Sequence, residues 1–190
     1  MENHDRPLVI LTTPKSGAKP VYDIQRPEAI RDRWLDFEWV VKNARNRMEQ
    51  TYFAAESIPH YNPNLGPDIF GAILGCDLEF GESTSWCSHP IKDWEDFKAE
   101  YNHDNPWLQK ILQLTRLCVE EAKGDFLVGI TDIHCGMDGL VSLRGPAELC
   151  MDLYDCPELI KPLPMQLFEV FKSFYNELES ITSQNQEGTI

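Results

Sequence analysis

Apolar residues recur at helical spacing through PEAIRDRWLDFEWVVKNARNRMEQTYF, residues 27–53, where Ile30, Trp34, Phe37, Val41, Met48 and Phe53 line one face. Pro27 suits a first helical turn, so the spacing predicts one long helix from there. A second begins at Asn105-Pro106, runs through NPWLQKILQLTRLCVEEAK and stops before Gly124. Between them, SIPHYNPNLG reads as a short strand bounded by prolines and Gly66, and residues 67–75 as a short helix closed by Gly75. CDLEF and STSWCSHPI alternate like strands up to Pro90, and residues 93–101 read as another short helix. The clearest strand is DFLVGITDI, a continuous apolar run of the kind that lies covered on both faces.

Beyond it, Gly136, Gly139 and Gly145 punctuate the chain, and helices are expected over 146–153 and 157–179, with Pro162 and Pro164 breaking or delaying the last. Residues 1–26, marked by Pro7, Pro14, Gly17 and Pro20, read as an extended arm with one apolar run, LVIL. The polar tail SQNQEGTI reads as a frayed end. Residues 27–190 then form a single body. Strands separated by long helices predict an α/β fold with a parallel sheet. The three to four strands expected are fewer than the eight that close a (β/α)8 barrel.

Charge narrows the partners. Against 17 Lys and Arg stand 31 Asp and Glu, a net of −14, which argues against nucleic acid and anionic membrane surfaces. Residues 1–50 carry 9 basic and 8 acidic side chains, and residues 51–190 carry 8 and 23. No apolar run approaches the roughly 20 residues of a membrane span, and no signal peptide precedes the first strand, so a cytoplasmic chain is expected. Six cysteines without a CxxC pair read as free, buried thiols. No GxGxxG, P-loop, HExxH or GxSxG pattern is present.

Candidate chemistry concentrates in FLVGITDIHCGMDGLVSLRG, residues 126–145, where an apolar strand runs into polar residues and a glycine-rich turn. Parallel α/β proteins bind ligands at the carboxyl ends of strands. While strand geometry lasts, Asp132 and His134 share one face and Cys135 takes the other. His134 is then a general base or hydrogen-bond donor, Asp132 its orienting partner, and Arg144 an anion anchor, with Asp138 beside them. The same residues also read as a turn cap, a satisfied buried histidine and a helix ion pair. His60, Asn62 and Asn64 alternate onto one face and either line the same mouth or serve turn chemistry. Trp86 reads as a pocket wall or as core packing, and Cys87 with Cys135 as candidate ligands of a thiophilic metal that nothing nearby requires. Arg144 is the only cation expected near the strand ends.

The segments IRDRWLDFEWVVKNARNRME, IPHYNPNLGPDIFGAILGCDLEF, TSWCSHPIKDWEDF, NHDNPW and FLVGITDIHCGMDGLVSLRGPAELCMDLYDCPELI together resemble the uroporphyrinogen decarboxylase-like superfamily. More narrowly, they resemble its bacterial branch related to corrinoid-dependent methyltransferases. The likeness covers residues 20–188 and is most specific in NLGPDIFGAILG and LRGPAELCMDLYDCPEL. It implies a TIM barrel of about twice this length, of which this chain is the amino-terminal half. It further implies decarboxylase or methyltransferase chemistry on a small-molecule substrate. Zinc or a corrinoid would be the cofactor, a corrinoid protein a partner, and the open half-barrel would favour a homo-oligomer or a separate second half. The family's Arg-rich motif RPxWxMRQAGR, which holds substrate carboxylates, has no match in KPVYDIQRPEAIRDRW. Its zinc ligands belong largely to the second half, and none falls on a matched position here.

Overall fold

The computed structural model describes residues 7–95 and 97–184. The residues beyond 184, which include most of the polar tail, lie outside the described part. The chain is a mixed helix-and-strand fold. Its described residues form the strands β1 (Ile10–Pro14), β2 (Thr51–Ala55), β3 (His60–Tyr61), β4 (Leu78–Phe80), β5 (Ser85–Cys87) and β6 (Leu127–Val128). The helices are α1 (Asp32–Leu35), α2 (Phe37–Gln50), α3 (Ile69–Ile73), α4 (Pro106–Ala122), α5 (Met137–Arg144), α6 (Pro146–Asp155), α7 (Pro157–Ile160) and α8 (Leu163–Thr182). The described strands form three two-stranded sheets, β1–β2 and β4–β5 antiparallel and β3–β6 parallel, and close no barrel.

Several expected elements change. The helix expected over 27–53 is two helices and a strand. Asp36 leaves helical geometry at ψ 85°, and its carboxylate accepts a hydrogen bond from the Trp39 backbone N–H, so it caps α2. Thr51–Ala55 then departs as β2, because Ile10–Pro14 of the expected arm offers it an antiparallel partner. The described residues of 93–101 form no helix; Trp94 anchors this stretch instead, its indole N–H donating to Asp152 at 2.7 Å. Among the described residues six short strands replace the three or four expected, and one of the three pairs is parallel.

Helix α4 is the central element. Asn105 caps it, its side-chain oxygen accepting from the N–H groups of Trp107 and Leu108, while Pro106 occupies the first turn. Trp107, Leu108, Ile111, Leu112, Leu114, Cys118, Val119 and Ala122 are all buried, so α4 packs on more than one side, against α2, α3, α8 and β6. Helix α8 is amphipathic: Leu163, Leu167, Val170, Phe174, Leu178 and Ile181 recur at three and four residues and face inward. Each such fully buried side chain contributes about 1.5–3 kcal/mol relative to exposure. Phe70 of α3 and Leu140 and Leu143 of α5 complete this core. Among the described residues no helix is long and apolar enough to cross a membrane.

Candidate functional site

The site is built on the shortest sheet. β3 pairs with β6 through His60–Leu127 and Tyr61–Val128. The Leu127 N–H donates to Pro59 O at 2.9 Å and the Gly129 N–H to Tyr61 O at 3.0 Å. Pro59 and Pro63 bracket β3, and neither has an N–H to extend the ladder, so most of the apolar run DFLVGITDI stays outside it. Because the two strands run the same way, Asn62–Asn64 and Ile130–His134 emerge at the same end. That is the end where ligands bind in parallel α/β folds.

Beyond β6, His134 Nε2 lies 2.9 Å from Asp132 Oδ2. The Asp132 side chain is 63% exposed and that of His134 42%, so His134 is not a buried core histidine. Asp132 caps no helix either: the residue before α5 is Gly136, and no side chain caps that end. With Nε2–H donating to the carboxylate, Nδ1 carries the lone pair of a base. Once protonated there, the ring can return the proton from Nδ1–H as an acid. Thr131, buried between them and the strand, has a hydroxyl with no hydrogen-bond partner. Asp138 is exposed in the first turn of α5.

Other expected site residues are placed differently. Arg144 is engaged in structure: Nε and Nη2 meet the two Asp152 oxygens at 2.7 and 3.0 Å, and Nη1 donates to the carbonyls of Ile91 and Lys92. The ion-pair reading of this residue therefore describes it. Trp86 is 54% exposed on β5 and lies over Gly81, so it is not core packing and lines no part of the strand-end cleft. His60 is exposed, with Nδ1 2.9 Å from the carbonyl of Ile58. Asn64 Oδ1 accepts from the Gly66 N–H at 2.6 Å, which is turn chemistry.

Asn62 and Asn64 do line a cleft, of about 290 Å³, beside the end of β3. Its other walls include Arg26, Arg33 and Arg47, which corrects the expectation that Arg144 is the only cation near the strand ends. Arg33 and Arg26 both donate to Glu82, at 2.7 and 3.0 Å. Arg33 also donates to the carbonyls of Pro27 and Glu28, which fixes the chain before α1. Burial pushes the Tyr61 hydroxyl above its ordinary range, and the charge of Arg47 pulls it back. Nothing local in the sequence flags these arginines, because they lie on an irregular segment, a short helix and a long helix that converge only in the fold.

The metal reading finds no donor set. Among the described residues no three His, Cys, Asp or Glu side chains are grouped to hold an ion. Hydrogen bonding with Cys76 and burial push the Cys87 thiol up, away from the thiolate a zinc site needs. Burial also raises Cys135, next to His134. All six cysteines are free, but only Cys76, Cys87 and Cys118 are buried; Cys135 and Cys156 are half-buried and Cys150 is exposed. No protein-family model, no curated protein and no solved structure matches the chain.

Proposed function

We propose that the chain is the amino-terminal part of a uroporphyrinogen decarboxylase-like barrel. It acts on a small carboxylated or methylated substrate, with Asp132 and His134 handling the proton. One observation supports this above the others: the parallel register of β3 and β6 delivers Asn62, Asn64 and the Asp132–His134 pair to one end of the sheet. In decarboxylation the bond to the carboxyl carbon breaks, carbon dioxide leaves, and the electron pair stays on the substrate carbon. Protonated His134 returns a proton to that carbon, and Asp132 holds the ring in place. In methyl transfer a nucleophile on a partner protein forms the new bond to the methyl carbon, the old bond breaks with its electron pair staying on the heteroatom, and the same imidazolium protonates that heteroatom. The described residues offer no metal centre, so no step is assigned to one.

The test follows carbon dioxide release from a panel of small carboxyl-labelled acids by the wild-type chain, Asp132→Asn and His134→Gln. Turnover in the wild type alone, with unchanged near-ultraviolet circular dichroism in both variants, supports the assignment. Equal turnover in all three removes the pair from the mechanism. No release from any acid removes decarboxylation.

A second reading, a non-catalytic open half-barrel covered by another copy or by a separate second half, draws on the β1–β2 ribbon. Ile10 is 79% exposed there, with Leu11 and Tyr52 also exposed, and Leu8 just ahead of β1 is 73% exposed. Two-stranded ribbons are marginal alone, and uncovered apolar edges invite pairing. Sedimentation equilibrium distinguishes the readings: a monomer across the concentration range excludes self-association.

A further inference from the structure

The cleft beside β3 is short of acceptors. Trp39 is one of its walls, and the indole N–H of this residue is buried without a hydrogen-bond partner. Arg47 makes no ion pair or side-chain hydrogen bond among the described residues, and the Asn43 and Asn62 amides are likewise uncommitted. Glu82, the one acid among the described residues that line the cleft, is already shared between Arg26 and Arg33. Three guanidinium groups against one carboxylate leave this cleft cationic in a chain of net charge −14. A buried donor left unpaired is costly, and Arg47, exposed at the cleft, presents its guanidinium to an incoming anion.

We infer that this cleft is an anion site for a small oxyanion, a carboxylate or a phosphate, carried on an aromatic ring. Arg47 and Trp39 would be its principal donors. Guanidinium presents parallel N–H groups that match two oxygens of a carboxylate or phosphate. The Asn43 and Asn62 amides supply further donors. Trp34 and Trp39 supply flat apolar walls for the ring, with the Trp34 indole N–H already held by Gly81 O at 2.9 Å. The volume of about 290 Å³ suits a single-ring ligand and not a macrocycle. This inference goes beyond the proposed reaction and does not rest on it, since the cleft binds whether or not His134 turns anything over.

The experiment titrates benzoate, phenyl phosphate and inorganic phosphate into the wild-type chain, Arg47→Gln, Trp39→Phe and His134→Gln. Tryptophan fluorescence and isothermal calorimetry are the readouts. Saturable binding of at least one probe is expected, weakened about tenfold or more in Arg47→Gln and severalfold in Trp39→Phe, and falling with added salt. His134→Gln should bind like the wild type, which separates a failure of this site from a failure of the proposed chemistry. Benzoate without inorganic phosphate identifies the ring carboxylate, and both phosphates without benzoate identify the phosphate. Binding of no probe, or equal affinity in Arg47→Gln with a native circular-dichroism spectrum, overturns the inference. If Arg47→Gln fails to fold, Arg47→Lys serves: it keeps the charge, loses the paired geometry, and must still weaken binding.

Discussion

Arg144 and Asp152 form a two-pronged ion pair, Nε to Oδ2 at 2.7 Å and Nη2 to Oδ1 at 3.0 Å. The pair spans the Gly145–Pro146 junction and locks α5 to α6. Because Arg144 also holds the carbonyls of Ile91 and Lys92, and Asp152 the indole of Trp94, it ties three stretches of chain together. Both side chains are largely buried, at 18% and 13% exposure. Asp152→Asn should therefore lose about 1.5–3 kcal/mol of stability in urea unfolding. Any probe bound at the β3 cleft should keep its affinity in this variant.

The same pair sets an acid limit. Hydrogen bonding from Arg144, reinforced by Trp94, holds the Asp152 carboxyl below its ordinary range. A depressed carboxyl pKa stabilises the folded state above the unfolded value of about 4, and that stabilisation disappears as pH falls through the folded value. The stability difference between wild type and Asp152→Asn should be constant from pH 7 to about pH 5 and shrink below about pH 4. Denaturation midpoints measured at successive pH values check the sign.

Asn105 joins two helices with one side chain. Its oxygen caps α4, and its amide nitrogen donates to the carbonyls of Ala72 and Ile73, at the end of α3, both at 3.0 Å. Asn105→Ala should cost about 2–3 kcal/mol, more than a cap alone. Asn105→Asp keeps the cap and loses the donors, so chemical denaturation should show most of that loss again.

Gly66 carries φ +94°, and a Cβ placed on it would fall 1.8 Å from Ser85 Oγ. Gly66→Ala should lose about 4 kcal/mol or more, through a clash and an unfavourable backbone together. Adding Ser85→Gly removes the side-chain clash but leaves the backbone conformation unfavourable. Thermal melting of the double variant should thus recover only part of the loss.

His134 and Asp132 make contact with each other at the surface and cap no helix end. Substitution of either should change unfolding free energy by no more than about 0.5 kcal/mol. A larger loss in equilibrium unfolding would mean that the pair supports the fold instead of serving a ligand.

Legibility followed the range of the interactions. Helix α4 was readable because Asn105, Pro106 and Gly124 mark its ends locally, and α3 because Gly75 closes the segment. Asp132 and His134 do meet, although they lie beyond the two-residue strand β6 and the contact is made in irregular backbone. β2 was hidden because Phe53 continues the helical period of α2, while its partner β1 lies about 40 residues upstream. The ladder at β6 was overread, since its length is set by the prolines around β3 and not by its own apolar run. The arginine cleft was invisible because Arg26, Arg33 and Arg47 acquire a common neighbour, the end of β3, only through tertiary packing.

The β3–β6 contact has a consequence for the order of assembly. His60 meets Leu127 only after α3, the β4–β5 hairpin and α4 have been enclosed between them. Such a distant pairing pays its loop-closure entropy before it gains any contact, so it forms late. On the ribosome, the strand ends carrying Asn62 and Asp132 cannot face one another until the chain has emerged past residue 134. Helix α4 and its Asn105 cap can form well before that point. A ligand that bridges the two strand ends would thus act as a partner in the final folding step, raising the stability of the closure and not of the pieces it joins.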